Sequence, residues 1–215
     1  MTKAGARADA LNALLGAAGW ASTPPPPRPR ICDLTPDGLS RIRQIYDDLA
    51  GIPEQFEHAR PGSFDLAFDT GDGKLIVELD EEQHFNRYRT ITLSRPWAAQ
   101  LPWTTTYVAY SAAHEAQLVR RWRSGRRWTN ESAPRFFGVA SPPGDFSGAG
   151  APRWRQRAFY DAVKDLMPAI RLARVSVHDE LEGRALNVIL RSGDLTTAAL
   201  VRAHVEARAH TWPSG

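Results

Sequence analysis

The stretch SFDLAFDTGDGKLIVELDEEQHF (63–85) sets Asp65, Glu78 and Asp80 inside two segments that otherwise read as buried β-strands. A buried carboxylate is costly unless something pairs with it. With Gly71-Asp72 as a two-residue turn, Asp65 falls opposite Glu78. A four-residue turn keeps that register, and a three-residue turn turns Asp65 to the other face. Glu78 and Asp80 are two apart and share a face, while Leu75, Val77 and Leu79 point to the other face and into the core. Opposite residues have Cβ atoms roughly 4.5–5.5 Å apart, so the three carboxylates converge and repel. Mg²⁺ or Mn²⁺ suits such a set, taking one or two carboxylates together with waters and phosphate oxygens. The competing interpretation is the solvent face of an edge hairpin. DTGDGK is not an EF-hand loop, because Gly71 and Gly73 stand where acidic ligands are required. His84, just past the second strand, can orient a water or accept a proton near neutral pH. It can equally be a surface or helix-start histidine.

Asp65 followed by VELDEEQHF resembles the PD-(D/E)XK restriction-endonuclease-like superfamily. It is most similar to the branch related to very-short-patch repair endonucleases, whose second strand reads E-x-D-G-x-x-H. The likeness covers roughly residues 36–124. It implies that Asp65 and Glu78 bind Mg²⁺ and that His84 takes the place of the branch histidine. Asp80 occupies the position of the E-x-K lysine, which is absent, and Glu81 stands where the branch has glycine. The expected catalytic set is Asp65, Glu78, Asp80 and His84, with Asp65, Glu78 and Asp80 as metal ligands.

Basic residues lie close by. Residues 1–85 carry 8 basic and 14 acidic side chains, whereas residues 86–174 carry 15 basic and 5 acidic. An acidic centre beside a basic segment suggests a cation site next to a polyanion site. RRWRSGRRW (120–128) places Arg120, Arg121, Arg123, Arg126 and Arg127 beside Trp122 and Trp128, and RWRQR (153–157) adds Arg153 and Arg155. Arginine pairs bidentately with phosphate, and tryptophan stacks on unpaired bases. Arg87 and Arg89 are candidates for holding a scissile or flanking phosphate, or equally salt-bridge partners for Glu81 and Glu82. The bland interpretation is a helix end with Arg completing the dipole and Trp in the core.

The elements that must position these residues follow from periodicity and punctuation. Residues 1–22 contain a short amphipathic helix, and TPPPPRPR (23–30) is a polyproline linker. Thr35 and Pro36 open a helix with Leu39, Ile42, Ile45, Tyr46 and Leu49 on one face. The hairpin occupies 63–69 and 74–80. Residues 86–100 read as a helix, the aromatic and β-branched 103–111 as a strand, and 113–125 as a helix. Helices are also expected over 153–170 and about 195–209, with 171–190 ambiguous and two short strands the expectation there. A nuclease-like core over 31–175 and a C-terminal extension over 176–215 complete the organisation.

The chain of 215 residues is long enough for one domain with a real core. Cys32 is the sole cysteine, which excludes internal disulfides and a cysteine-rich zinc site and fits a reducing, cytoplasmic compartment. No apolar run approaches the roughly 20 residues of a membrane helix. No P-loop, H-E-x-x-H, G-x-S-x-G or dinucleotide fingerprint is present. The expected fold is α/β, with a restriction-endonuclease-like order of helix, β-hairpin, helix, strand and helix. The expected function is a metal-dependent nuclease acting on nucleic acid, DNA in particular. Two rivals stand beside it: a catalytically degenerate module that binds nucleic acid or a protein partner, and a structural protein with a solvated acidic hairpin.

Overall fold

The computed structural model describes residues 5–122 and 127–213, Trp122 by its backbone alone. The hairpin forms in the register that alternation requires. Strands β2 (Leu66–Thr70) and β3 (Gly73–Asp80) pair antiparallel around Gly71-Asp72, with Leu66 opposite Val77 and Phe68 opposite Leu75. Gly73 closes the turn at φ +98°, a conformation that favours glycine. Continued by one residue, this register brings Asp65 to Glu78.

Three further strands extend the sheet in the order β1 (Ala21–Ser22), β2, β3, β4 (Arg171–Ser176), β7 (Ala209–Thr211). β3 and β4 are parallel, and the other neighbours are antiparallel. A separate short hairpin joins β5 (Glu180–Leu181) and β6 (Arg184–Ala185). The fold is therefore mixed α/β around a five-stranded sheet.

Helices cover both faces. Phe68, Leu75, Val77, Leu79, Ala173 and Val175 pack against α1 (Ala6–Ala17), α7 (Leu186–Ser192) and α8 (Ala198–Ala207). The opposite face presents Ala67, Ile76 and Leu172 to α2 (Pro36–Asp48), α3 (Arg87–Leu93), α4 (Thr104–Trp122) and α6 (Pro152–Asp165), with α5 (Ala133–Phe137) against α6. Thr35 caps α2 as its sequence predicts, accepting from the Gly38 amide at 3.1 Å. Asn86 caps α3 through the amides of Tyr88 and Arg89.

Residues 103–111 correct the sequence-based expectation, because they are helical rather than a strand. Trp103, Tyr107 and Ser111 are buried at four-residue spacing and continue to Leu118, so α4 runs unbroken from Thr104 to Trp122 across the boundary between the two expected elements. The helical period outweighs the β-branched composition once one face is buried. The strand beside β3 comes instead from β4, in the segment that read ambiguously. The boundary expected between 175 and 176 falls inside β4, and the expected extension supplies β7 to the same sheet. No helix among the described residues is long and apolar enough to cross a membrane.

Candidate metal centre

Alternation along β3 and β4 sends Glu78, Asp80 and Arg174 to the face covered by α6. Arg174, paired in register with Glu78, has no exposed surface. Its Nη1 donates to both Asp80 oxygens at 2.9 Å, and its Nε donates to Asp165 Oδ1 at 2.6 Å. Its Nη2 reaches the Asp161 carbonyl at 3.3 Å and lies 3.5 Å from Asp161 Oδ1. Asp161, Lys164 and Asp165 come from successive positions on one face of α6. Arg89, also fully buried, donates to Asp165 Oδ2 at 2.7 Å. Lys164 Nζ bonds Glu78 Oε2 at 2.7 Å and the Ser63 carbonyl at 2.8 Å. Four carboxylates (Glu78, Asp80, Asp161, Asp165) thus meet three cations (Arg89, Lys164, Arg174) before His84 is counted, leaving a formal balance of −1.

His84 stands in the 3₁₀ turn after β3, four residues past Asp80. Its Nδ1 lies 2.7 Å from Asp161 Oδ2 and 3.1 Å from Asp80 Oδ1. Both neighbours are buried carboxylates held low. Burial pushes Asp161 up, but His84 and Arg174 outweigh it and keep the carboxyl well below its ordinary value. Burial likewise raises Asp80, and Arg174 and His84 bring it down. Two ionised acceptors around Nδ1 require that nitrogen to carry a proton, which leaves Nε2 as the other functional atom of the ring.

Ligand atoms of Asp80, His84 and Asp161 all lie within 4.8 Å of one another, so the three can hold one metal ion. The donor set tests which ion fits. Carboxylate oxygens suit Mg²⁺ and Mn²⁺, whereas an imidazole nitrogen suits transition metals. Two oxygens with one nitrogen therefore fit Mn²⁺ better than Mg²⁺. Binding through Nδ1 requires its proton to move away.

Asp65 and Glu78 lie outside that group. The hairpin register brings them together, but through the backbone: the Asp65 amide donates to Glu78 Oε1 at 3.0 Å, and the Leu79 amide donates to Asp65 Oδ2 at 3.1 Å. Of the expected trio Asp65, Glu78 and Asp80, Asp80 lies in the group with His84 and Asp161, while Glu78 is paired with Lys164 and Asp65 with the Leu79 amide. Burial raises Glu78 to about 7 despite Lys164, with Asp65 adding to the rise. Asp65 remains exposed and lines a cleft of about 240 Å³ with Leu79, Glu81, His84, Gly5 and Ala8. At the edge of this cleft, Arg7 of α1 forks onto both Glu82 oxygens at 2.8 Å and reaches Glu81 at 3.4 Å.

The expected nucleic-acid contacts divide. Arg89 is buried on Asp165, and Arg155 is buried on the carbonyls of Leu49 and Gly148, so both hold the core together and are out of reach of a polymer. Arg87 is tied to Glu115 at 2.6 Å and lies over the Phe146 ring at 3.6 Å. Arg120, Arg121 and Arg127 are exposed. Arg153 is half-buried and donates to Gln156 at 2.7 Å. Arg123 and Arg126 lie outside the described residues. Trp128 and Trp154 are core residues, packed edge to face at 5.4 Å.

No sequence motif marks Asp161, Lys164 or Arg174. The available signal was AFYDAVKDL, where charges recur at helical spacing on a face that also carries the apolar core. Comparison with known proteins places residues 44–192 in a family of unknown function (DUF7255), and the chain belongs to that family. It matches no curated protein and no solved structure.

Proposed function

We propose that this chain is a metal-dependent nuclease that hydrolyses phosphodiester bonds of nucleic acid, with DNA as the expected substrate. The observation that carries the reading is the Asp80–His84–Asp161 group, held at the carboxyl end of β3, with His84 also lining a cleft that exposes Asp65. Helix α2, the β2–β3 hairpin, the helices from α3 to α6, strand β4 and the closing helices follow one another around the five-stranded mixed sheet, with residues 104–111 in α4.

In this reading Asp80, His84 and Asp161 hold the ion, and when bound it supplies Lewis acidity toward a phosphate oxygen. Arg174 keeps Asp80 ionised and fixes its orientation from behind. Asp161 fixes the His84 ring. Asp65 lies on the cleft wall and is placed to accept a hydrogen bond from a water. Lys164 balances Glu78 and steadies the hairpin from which Asp65 projects.

The test is cleavage of labelled DNA and RNA by purified protein with Mn²⁺, with Mg²⁺ and with EDTA. Cleavage that needs the metal supports the reading, and cleavage unaffected by EDTA sinks it. One observation favours the non-catalytic alternative, a nucleic-acid-binding module: Arg174 already neutralises Asp80 by engaging both of its oxygens without an ion. Binding of DNA without cleavage under any divalent metal would select that alternative.

A further inference from the structure

Buried arginines in this core are paired. Arg174 and Arg89 are held by carboxylates, and Arg155 by main-chain carbonyls. Arg157 is the exception. It is half-buried on α6 and makes no hydrogen bond or ion pair among the described residues. A guanidinium stays charged at working pH and carries five donors, and those of Arg157 are unpaired yet open to solvent, so a ligand can reach them. Its helical position is informative: Arg153 lies one turn before it and Asp161 one turn after it. Four residues span about 6 Å of helix axis, so the Arg157 side chain emerges next to the residue that orients His84. Asp161, Asp80 and Glu81 attract it, but none comes within ion-pairing distance. Burial of the side chain and the neighbouring Arg153 push Arg157 down to about 10.

We propose that Arg157, with Arg153 one turn away, forms a seat for a backbone phosphate of nucleic acid beside the Asp80–His84–Asp161 group. This rests on the nuclease reading for the identity of the ligand and deepens it by naming where a phosphate is held. The guanidinium fork matches two phosphate oxygens. Asp161, Asp80 and Glu81 alone would repel such an anion, so a cation at the carboxylate–histidine group would strengthen its binding. The two ligands are therefore coupled, each raising affinity for the other.

Binding is measured by fluorescence anisotropy on a labelled DNA duplex in EDTA, across a salt series, with the full-length chain. Arg157→Gln should weaken binding roughly 10- to 100-fold, as loss of a charged hydrogen-bond pair would. It should reduce the salt slope by about 0.9 for the lost phosphate. Arg157→Lys should keep the slope while losing part of the affinity, because it retains charge without the fork; a purely structural role would not give that split. Thermal melts confirm that each variant is folded. Unchanged affinity and slope in folded Arg157→Gln overturn the proposal. Cleavage by the wild type together with unchanged Arg157→Gln binding removes the seat and leaves the nuclease reading standing. A reduced slope without any cleavage keeps the seat and removes the catalytic reading.

Discussion

His84 Nδ1 lies 2.7 Å from Asp161 Oδ2, joining the turn after β3 to helix α6 across 77 residues of sequence. The contact fixes the ring and assigns its Nδ1 proton. If His84 holds the ion that cleavage needs, His84→Ala should lower the single-turnover rate at limiting Mn²⁺ by about tenfold or more, in step with weakened metal binding. Its melting temperature should fall little, since Arg174 still pairs with Asp80. A rate per folded molecule equal to wild type would return His84 to a structural role.

Arg174→Met should destabilise the fold by about 3–5 kcal/mol, because Asp80, Asp161 and Asp165 lose their shared buried cation. Arg174→Lys should rescue little, since a point charge cannot serve three carboxylates at once. Urea unfolding of both variants measures this. A loss below about 1 kcal/mol for Arg174→Met would show that the carboxylates find other partners.

Stability from these three groups, Asp80, Asp161 and Glu78, should peak at about pH 4.5, between the ordinary Asp and Glu values, and decline from there toward pH 7. Asp80 and Asp161 are held below their ordinary value of 3.8, so the unfolded chain binds more protons in acid. Their contribution is complete above about pH 5 and is lost as pH falls toward the folded values. Glu78 acts with the opposite sign. Raised from 4.5 to about 7, it contributes fully below its unfolded value, and that contribution is lost as pH rises through 7. Melting temperatures from pH 3 to 9 should fall on both sides, and Glu78→Gln should flatten the alkaline side. A profile that rises steadily to pH 9 would contradict this assignment.

Arginines that look alike in sequence should separate by experiment. Arg120→Ala with Arg121→Ala should lower the salt slope of duplex binding and leave melting unchanged, because both side chains are exposed at the end of α4. Arg89→Ala and Arg155→Ala should lower the melting temperature, because each leaves buried acceptors unpaired. A reversed pattern would overturn the division made by burial.

The hairpin and its register were legible in the sequence because alternation over Leu75, Val77 and Leu79 admits one pairing around Gly71-Asp72. The Thr35-Pro36 start of α2 was legible for the same local reason. Residues 103–111 were not, since Trp103 and Tyr107 are equally at home in a strand until a partner face is known. The site was half legible. Asp80 and His84 announce themselves by spacing, but Asp161 and Arg174 reach them only through the packing of α6 on β4. An arginine in the middle of a strand reads as solvent-facing until the helix above it is seen to carry two complementary charges, Asp161 and Asp165.

The central claim is that Asp80, His84 and Asp161 hold one divalent ion. Titration of Mn²⁺ into the metal-free protein, followed by calorimetry, tests it most directly. The account predicts one site per chain in the wild type. It also predicts binding weakened at least tenfold, about 1.4 kcal/mol, in both His84→Ala and Asp161→Asn, with Asp65→Asn binding close to wild type. No saturable Mn²⁺ binding, or binding abolished by Asp65→Asn and untouched by His84→Ala, would contradict it.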